Sequence, residues 1–221
     1  MEFDFSPIWA SRQYLLGGLG ITLLLSLTTV ALSLAVGGAI GIARCYGPRW
    51  LTLPLTFYID SMRSVPVLVV LVWVYFACPI LFGLTLPPFW AALTALTLHI
   101  AAYVAEIVRA GITSVRPGQM RAAVALGMSR AQAVRKIILP QSIVRMLPAF
   151  ASIISITIKD TAIAAVIAVP EYMKRSETVA GQSFHPIEVF TVAMLVYFVI
   201  LFPTTRVVDM IYARVAHLGR S

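Results

Sequence analysis

The chain has 221 residues, of which 60% are hydrophobic and only 12% are charged, and its mean hydropathy is +0.91. A water-soluble globular domain of this length does not need so much apolar surface, so the composition excludes the soluble classes and indicates an integral membrane protein. The formal net charge of +8 leaves two explanations for the basic residues, namely membrane topology and nucleic-acid binding.

Five apolar stretches are long enough to cross a bilayer, since a helical span needs roughly 20 apolar residues at ~1.5 Å per residue. They cover about residues 14–43, 65–82, 87–108, 143–169 and 187–208. No internal repeat, low-complexity tract or long linker divides the chain. We therefore predict an all-α, polytopic membrane protein with five transmembrane helices, in which residues 1–221 form a single domain.

The first span is rich in small residues. Gly37 and Gly41 are four residues apart, which is the spacing that lets two helix backbones approach closely in lipid. This spacing fits packing within one subunit or between two subunits, and we favour the first. From Trp50 to Arg63 the chain is amphipathic and is predicted to lie at the membrane interface, with Pro66 ending that helix before the second span.

The third span carries three polar side chains. His99 and Tyr103 are four residues apart and share one helix face, and Glu106 follows three residues later. A lone histidine in a span is usually a packing residue. A carboxylate near lipid is costly, so Glu106 is predicted either to pair with Arg109 on the next turn or to face a polar pathway.

Residues 111–140 form the longest stretch that cannot lie in lipid, and they are rich in basic residues and contain no acid. Gly127 suits the left-handed position that ends a short helix. Ser129 and Gln132 have the spacing of a capping box, which would start a second helix at once. Pro140 is predicted to end that helix. We therefore predict a two-helix elbow at the membrane surface.

The fourth span contains two adjacent charges. Lys159 and Asp160 lie about 14 residues beyond Arg145, which is roughly 21 Å along a helix and therefore deep in the bilayer. Charges at that depth cost roughly 2.5–3.5 kcal/mol each. They are predicted either to line a polar cavity, where they could bind the two charged groups of an amino acid, or to form a structural ion pair at a subunit interface.

The orientation follows from the basic residues, which favour the cytoplasmic side. If the N-terminus lies outside and the C-terminus inside, thirteen of the 17 Lys and Arg residues fall on the inner side. This topology explains the net charge, so nucleic acid is not expected as a partner. The segment after Pro170 then forms an outer loop of mixed charge, which either contacts a soluble protein or is simply solvated.

The elbow carries a family resemblance. Ala122-Ala123, then Gly127, then Ile137-x-Leu139-Pro140 resembles the EAA loop of bacterial ATP-binding-cassette (ABC) importer permeases. The surrounding residues resemble the polar amino acid branch, of the histidine, glutamine and arginine type, in four stretches: Glu106-Ile107-x-Arg109-Ala110-Gly111-Ile112, Gly118-Gln119, Ala125-Leu126-Gly127-Met128 and Lys159-Asp160-Thr161. The chain departs from the pattern at Arg121, because the family has glutamate there.

The resemblance implies a permease subunit of an ABC importer in the bacterial cytoplasmic (inner) membrane. The implied partners are membrane lipid, a polar amino acid substrate, a cytoplasmic ABC ATPase dimer, a periplasmic or secreted binding protein and a second permease subunit. Because Arg121 removes the family's acidic contact, either the ATPase surface differs or a non-identical second permease supplies the glutamate.

The resemblance also implies roles for two groups of residues. The elbow becomes a cytoplasmic coupling loop that docks on the ATPase through Arg121, Ala122, Ala123, Gly127, Ile137, Leu139 and Pro140. The candidate substrate-binding residues are Lys159, Asp160, Thr161, Glu106, Tyr103 and His99.

Two other functional classes remain to be weighed. An intramembrane enzyme is disfavoured, because the chain has no H-E-x-x-H and no G-x-S-x-G motif and its three histidines are scattered, so we predict no catalytic site, metal or cofactor. It also lacks the G-x-x-x-x-G-K-[ST] motif, so ATP hydrolysis is assigned to a partner subunit. A non-transporting scaffold or channel subunit is the remaining alternative.

Overall fold

The computed structural model describes residues 3–215, and the two ends of the predicted single domain lie outside the described residues. Within this range the chain is almost entirely helical and has no strand, which confirms the all-α prediction. The helices are α1 Ser6–Ala10, α2 Arg12–Tyr46, α3 Arg49–Ser64, α4 Val67–Phe82, α5 Pro88–Thr113, α6 Pro117–Ala125, α7 Arg130–Ala133, α8 Leu139–Asp160, α9 Tyr172–Ser183 and α10 Pro186–Val215.

Four helical stretches of the described chain are long and apolar enough to cross a membrane, namely Arg12–Tyr46, Pro88–Thr113, Arg130–Ile167 and Pro186–Val207. A fifth span is obtained if α3 and α4, which meet at an angle of 108°, are counted as one bent element. The break falls at Pro66, which restricts the residue before it and has no amide hydrogen to continue the helix. The helix predicted between Trp50 and Arg63 is therefore present as α3.

The most extensive helix pair is α2 against α5. Gly37 and Gly41 face α5, where Val104 and Val108 fill the space that a side chain would need. Small and hydroxyl residues make up most of the buried stripe of α2, whereas many of its leucines are exposed. This inverted pattern is expected of a helix whose outer surface meets lipid, since close backbone packing rather than apolar burial holds such helices together. The glycine pair thus packs within the subunit, as favoured from the sequence.

The connection between the elbow and the fourth span differs from the prediction. Pro140 does not end a helix, because it lies in the first turn of α8, where a missing amide hydrogen is tolerated. A π-helical turn, Val134–Ile138, precedes it and joins α7 to α8. In this turn the Leu139 amide donates to the Val134 carbonyl, five residues back. The expected break at Pro140 was therefore wrong, and helical structure runs on from Arg130 to Ile167.

The other end of α8 also changes its winding. At Thr161 the α-helix tightens into a 3₁₀ helix, Thr161–Ile167, which ends at Ala168 with a left-handed φ of 61°. The chain then turns into α9, a helix in the segment that was predicted to be an outer loop. Because 3₁₀ turns are stable only in short stretches, the bundle around this segment must hold its conformation. Thr161, Ala164 and Ile167 are buried there.

Candidate functional site

The elbow consists of α6 and α7 joined at Gly127. The φ of Gly127 is +83°, a left-handed value that suits glycine because it lacks a Cβ atom. The Gly127 amide donates to the Val124 carbonyl and the Met128 amide donates to the Ala123 carbonyl, which is the Schellman pattern of a helix end. The predicted turn at Gly127 is therefore confirmed.

The second helix of the elbow starts with the predicted capping box. The Ser129 hydroxyl accepts from the Gln132 amide at 3.2 Å, and the Gln132 side chain accepts from the Ser129 amide at 2.9 Å. Two otherwise unpaired amides at the start of α7 are satisfied in this way. The start of α7 was therefore correctly predicted from the sequence.

The predicted coupling residues divide into an exposed group and a packed group. Arg121 and Ala122 are exposed, whereas Ala123 is buried beneath them. Ile137 and Leu139 pack against the apolar cluster at the base of α5 and α8, which includes Val115, Ile138 and Met146. Gly127 and Pro140 are exposed as well. The exposed residues are free to meet a partner, and the packed residues anchor the elbow to the bundle.

The elbow presents only positive charge. Its exposed cations are Arg116, Arg121, Arg130, Arg135 and Lys136. None of these five side chains forms an ion pair within the described part of the chain. Arg145, at the start of α8, instead donates to Ser114 at the end of α5 and ties the two helices together.

Glu106 is the centre of an arginine cluster. Its carboxylate accepts from Arg44 at 2.6 Å and from Arg109 at 2.6 and 3.1 Å. Arg63 lies 3.9 Å away. The pairing with Arg109 that the sequence suggested is present. The cluster also links the ends of α2, α3 and α5, so Arg44, Arg63 and Arg109 lie together on one side of the bundle.

His99 and Tyr103 continue this group along α5. Their rings lie 5.3 Å apart, and the Arg63 guanidinium lies 5.7 Å from the centre of the Tyr103 ring. His99 is buried, and its Nδ1 atom has no hydrogen-bond partner among residues 3–215. The three candidate residues of α5 therefore form one continuous polar group that ends at the arginines.

Lys159, Asp160 and Thr161 form a separate group at the end of α8. Lys159 is exposed, Asp160 is half-buried, and Thr161 is buried with its hydroxyl donating to the Ile158 carbonyl. No ion pair joins Lys159 to Asp160 within the described range, and none joins either residue to Glu106. The structure therefore does not unite the six candidate substrate residues. In the described chain no three His, Cys, Asp or Glu side chains are arranged to hold a metal ion.

Residues 33–217 match the model of one family, described as the binding-protein-dependent transport system inner membrane component. The chain belongs to this family. The match extends from the second half of α2 to the end of α10, so it includes the elbow and both candidate groups.

Relatives of this permease are similar over nearly their whole length. This permease is 34% identical to the glutamine transport system permease protein of Escherichia coli, over 90% of this chain and 92% of that protein. It is 33% identical to the arginine transport system permease protein of Bacillus subtilis, over 91% and 92%. A crystal structure of an amino acid ABC transporter with histidines has a TM-score of 0.90 at 31% identity, covering 97% of this chain and 100% of that chain.

The buried carboxylate of Glu171 was not predicted from the sequence of the permease. It lies in the segment after Pro170 that was predicted to form an outer loop, either in contact with a soluble protein or solvated, but it is fully buried at the start of α9. It accepts from the amides of Met173 and Lys174 and from the hydroxyls of Thr22 and Tyr197. Burial raises the pKa of Glu171, and these hydrogen bonds oppose the shift. A capping acid followed by a helix was the only local signal for this site.

Proposed function

We propose that the chain is the permease subunit of an ABC importer that carries a polar amino acid across the bacterial inner membrane. A separate ATPase subunit supplies the energy, and the permease itself has no catalytic site. The observation that carries this proposal is the exposed elbow of α6 and α7, which continues without a helix break into the span that bears Lys159 and Asp160. The named functions of the similar proteins agree with it.

The substrate pathway is assigned to the exposed side of Lys159 and the half-buried Asp160, where a second permease subunit would complete the cavity. An amino acid carries both an ammonium and a carboxylate, and adjacent residues of opposite charge can meet both groups. Thr161 would hold the two side chains at the point where α8 tightens. Glu106, Tyr103 and His99 are assigned to the inner end of the same pathway, with the arginine cluster limiting its opening.

The topology that we propose has the start of α2 outside and its end inside. The convergence of Arg44, Arg63 and Arg109 on one side of the bundle supports it, because basic residues favour the cytoplasmic face. In a background without Cys45 and Cys78, a cysteine at Arg130 should react with a membrane-impermeant maleimide only after cells are opened. Labelling of this cysteine in intact spheroplasts would show that the orientation is opposite to the one proposed.

The partners that we propose are an ATPase dimer on the elbow, a binding protein at the outer face and a second permease that is not identical to this one. Arg121 supports the last point, because it replaces the acidic residue expected of a coupling loop. Transport by this chain with the ATPase alone would count against the hetero-dimer.

Reconstitution tests the function as a whole. Proteoliposomes that contain the permease, its ATPase and its binding protein should take up an amino acid only when ATP is present. The amino acid with its binding protein should also stimulate ATP hydrolysis. A scaffold or channel subunit, which the similar proteins do not favour, would bind the ATPase without such stimulation.

A further inference from the structure

The cytoplasmic elbow contains a recess that no residue of the described chain fills. The recess lies between α6, α7 and the end of α2 and has a volume of about 880 Å³. Two arginines and mostly apolar side chains line it, including Tyr46, Val124, Ala131 and Val134 beside Arg121 and Arg130. Leu126, which follows the lining residue Ala125, is 82% exposed and adds to the apolar surface beside the recess. Apolar side chains together with arginines are typical of a protein–protein interface, so this surface is expected to bind a partner.

The charge of this surface is uncompensated. No acid occurs in the sequence between Glu106 and Asp160, and neither Arg121 nor Arg130 forms an ion pair within residues 3–215. Water screens the two guanidiniums while the recess is open. A partner that fills the recess removes this water, and an arginine buried without an anion is strongly unfavourable. A stable complex therefore requires carboxylates from the partner.

We propose that the ATPase surface that receives this elbow is acidic, with an apolar side chain that enters the recess and carboxylates opposite Arg121 and Arg130. The inference rests on the proposed function for the existence of an ATPase partner, but the charge of the contact comes from the recess itself. A concave recess of this size fits a protruding side chain. A lipid bilayer presents no such protrusion, although its anionic headgroups could also pair with arginine.

The chain offers a matched control for the test. Arg121→Glu and Arg130→Glu reverse charges that line the recess, whereas Arg135→Glu makes the same change on an exposed elbow residue outside it. Each permease variant, assembled with its second permease subunit, is placed in nanodiscs of neutral phosphatidylcholine. Binding of its fluorescently labelled cognate ATPase is then measured at about 0.1 M and about 1 M salt, where charges are screened over about 10 Å and about 3 Å.

The expected results are specific. Arg121→Glu and Arg130→Glu should each weaken ATPase binding about tenfold or more at low salt, since like charges then face each other. Arg135→Glu should change it less than about threefold. High salt should weaken binding of the unchanged permease and strengthen binding of the Arg121→Glu variant. If the glutamate variants fail to insert, Arg121→Gln should still lower the affinity and flatten the salt dependence.

Three outcomes would overturn the inference. The first is tighter binding by Arg121→Glu, which would mean that the ATPase surface is basic. The second is equal effects of all three reversals, which would remove the role of the recess. The third is charge dependence that occurs only in phosphatidylglycerol nanodiscs, which would assign the arginines to lipid. If the unchanged permease binds no ATPase at all, the proposed function itself fails, and this result is distinguishable from the other three.

Discussion

Replacement of Gly37 by alanine tests the close packing that holds the bundle together. A methyl group added at Gly37 would lie 2.7 Å from the Val104 Cβ atom and closer still to the Ala101 carbonyl oxygen. Real Cβ contacts are longer than this, so α2 would have to move away from α5. Gly38 is its matched control, because a methyl group there meets nothing within 4 Å.

The size of the effect follows from the difference between the two variants. Both substitutions bring the same gain in helix propensity, up to about 1 kcal/mol, so this contribution cancels. The overpacking at Gly37 remains and costs about 1–3 kcal/mol. For a domain of this size, 1 kcal/mol corresponds to about 2–4 °C in the unfolding midpoint. The midpoint of Gly37→Ala should therefore lie roughly 2–12 °C below that of Gly38→Ala.

The assay is thermal unfolding of the purified permease in detergent, followed by tryptophan fluorescence. Gly41→Ala should behave like Gly37→Ala, because its methyl group would lie 2.7 Å from the Val108 Cβ atom. Equal midpoints for Gly37→Ala and Gly38→Ala would refute the packing argument. They would also reopen the possibility that the glycine pair serves contact between subunits.

Four further predictions follow from the candidate sites. Asp160→Asn should abolish uptake in proteoliposomes while the complex still assembles, and normal uptake kinetics would remove Asp160 from the pathway. Gly127→Val cannot adopt a φ of +83° without strain, so substrate-stimulated ATP hydrolysis should fall, and an unchanged rate would contradict a role for the turn in coupling. Glu106→Gln removes the carboxylate shared by Arg44 and Arg109 and should lower the free energy of unfolding by about 1–2 kcal/mol, allowing for the partial exposure of these side chains. An unchanged unfolding midpoint would argue against a stabilising role for this cluster. Because the pKa of Glu171 is raised in the folded state, its contribution to the free energy of unfolding is complete below the unfolded pKa and is lost as pH rises through the folded pKa. As pH rises above about 4.5, the unfolding midpoint of the unchanged protein should therefore fall relative to that of Glu171→Gln. A difference between the two midpoints that does not change with pH would exclude the effect.

The parts of the permease that could be predicted from the sequence depend on neighbouring residues. The turn at Gly127 and the capping box of Ser129 and Gln132 are encoded within a few positions, because a left-handed glycine and an N-cap act on adjacent backbone groups. The break at Pro66 has the same local cause. These features set the shape of the elbow, which is why the elbow was predicted in most of its detail.

The parts that were missed depend on contacts between distant residues. Arg44 donates to Glu106, which is 62 positions away in the sequence, and Thr22 donates to Glu171, which is 149 positions away. Hydrophobic periodicity carries no information about such pairs. The π turn before Pro140 was missed for a related reason. The sequence shows that proline cannot donate the hydrogen bond that a regular α-helix needs. It does not show that hydrogen bonds to the fifth residue back, instead of the fourth, let the helix continue before Pro140.

The two irregular turns bear on how the elbow could act on the substrate pathway. α8 has 22 residues, so it spans roughly 33 Å between the π turn and the 3₁₀ segment that begins at Thr161. Regular α-helix resists bending more than such turns do, so bending is expected at the two ends of α8. It is also expected at Pro148, which removes one hydrogen bond from the interior of α8. A displacement of the elbow by the ATPase would then tilt α8 and move Asp160 relative to the buried Thr161. If the elbow binds the ATPase as proposed, the same helix would connect it mechanically to Lys159 and Asp160.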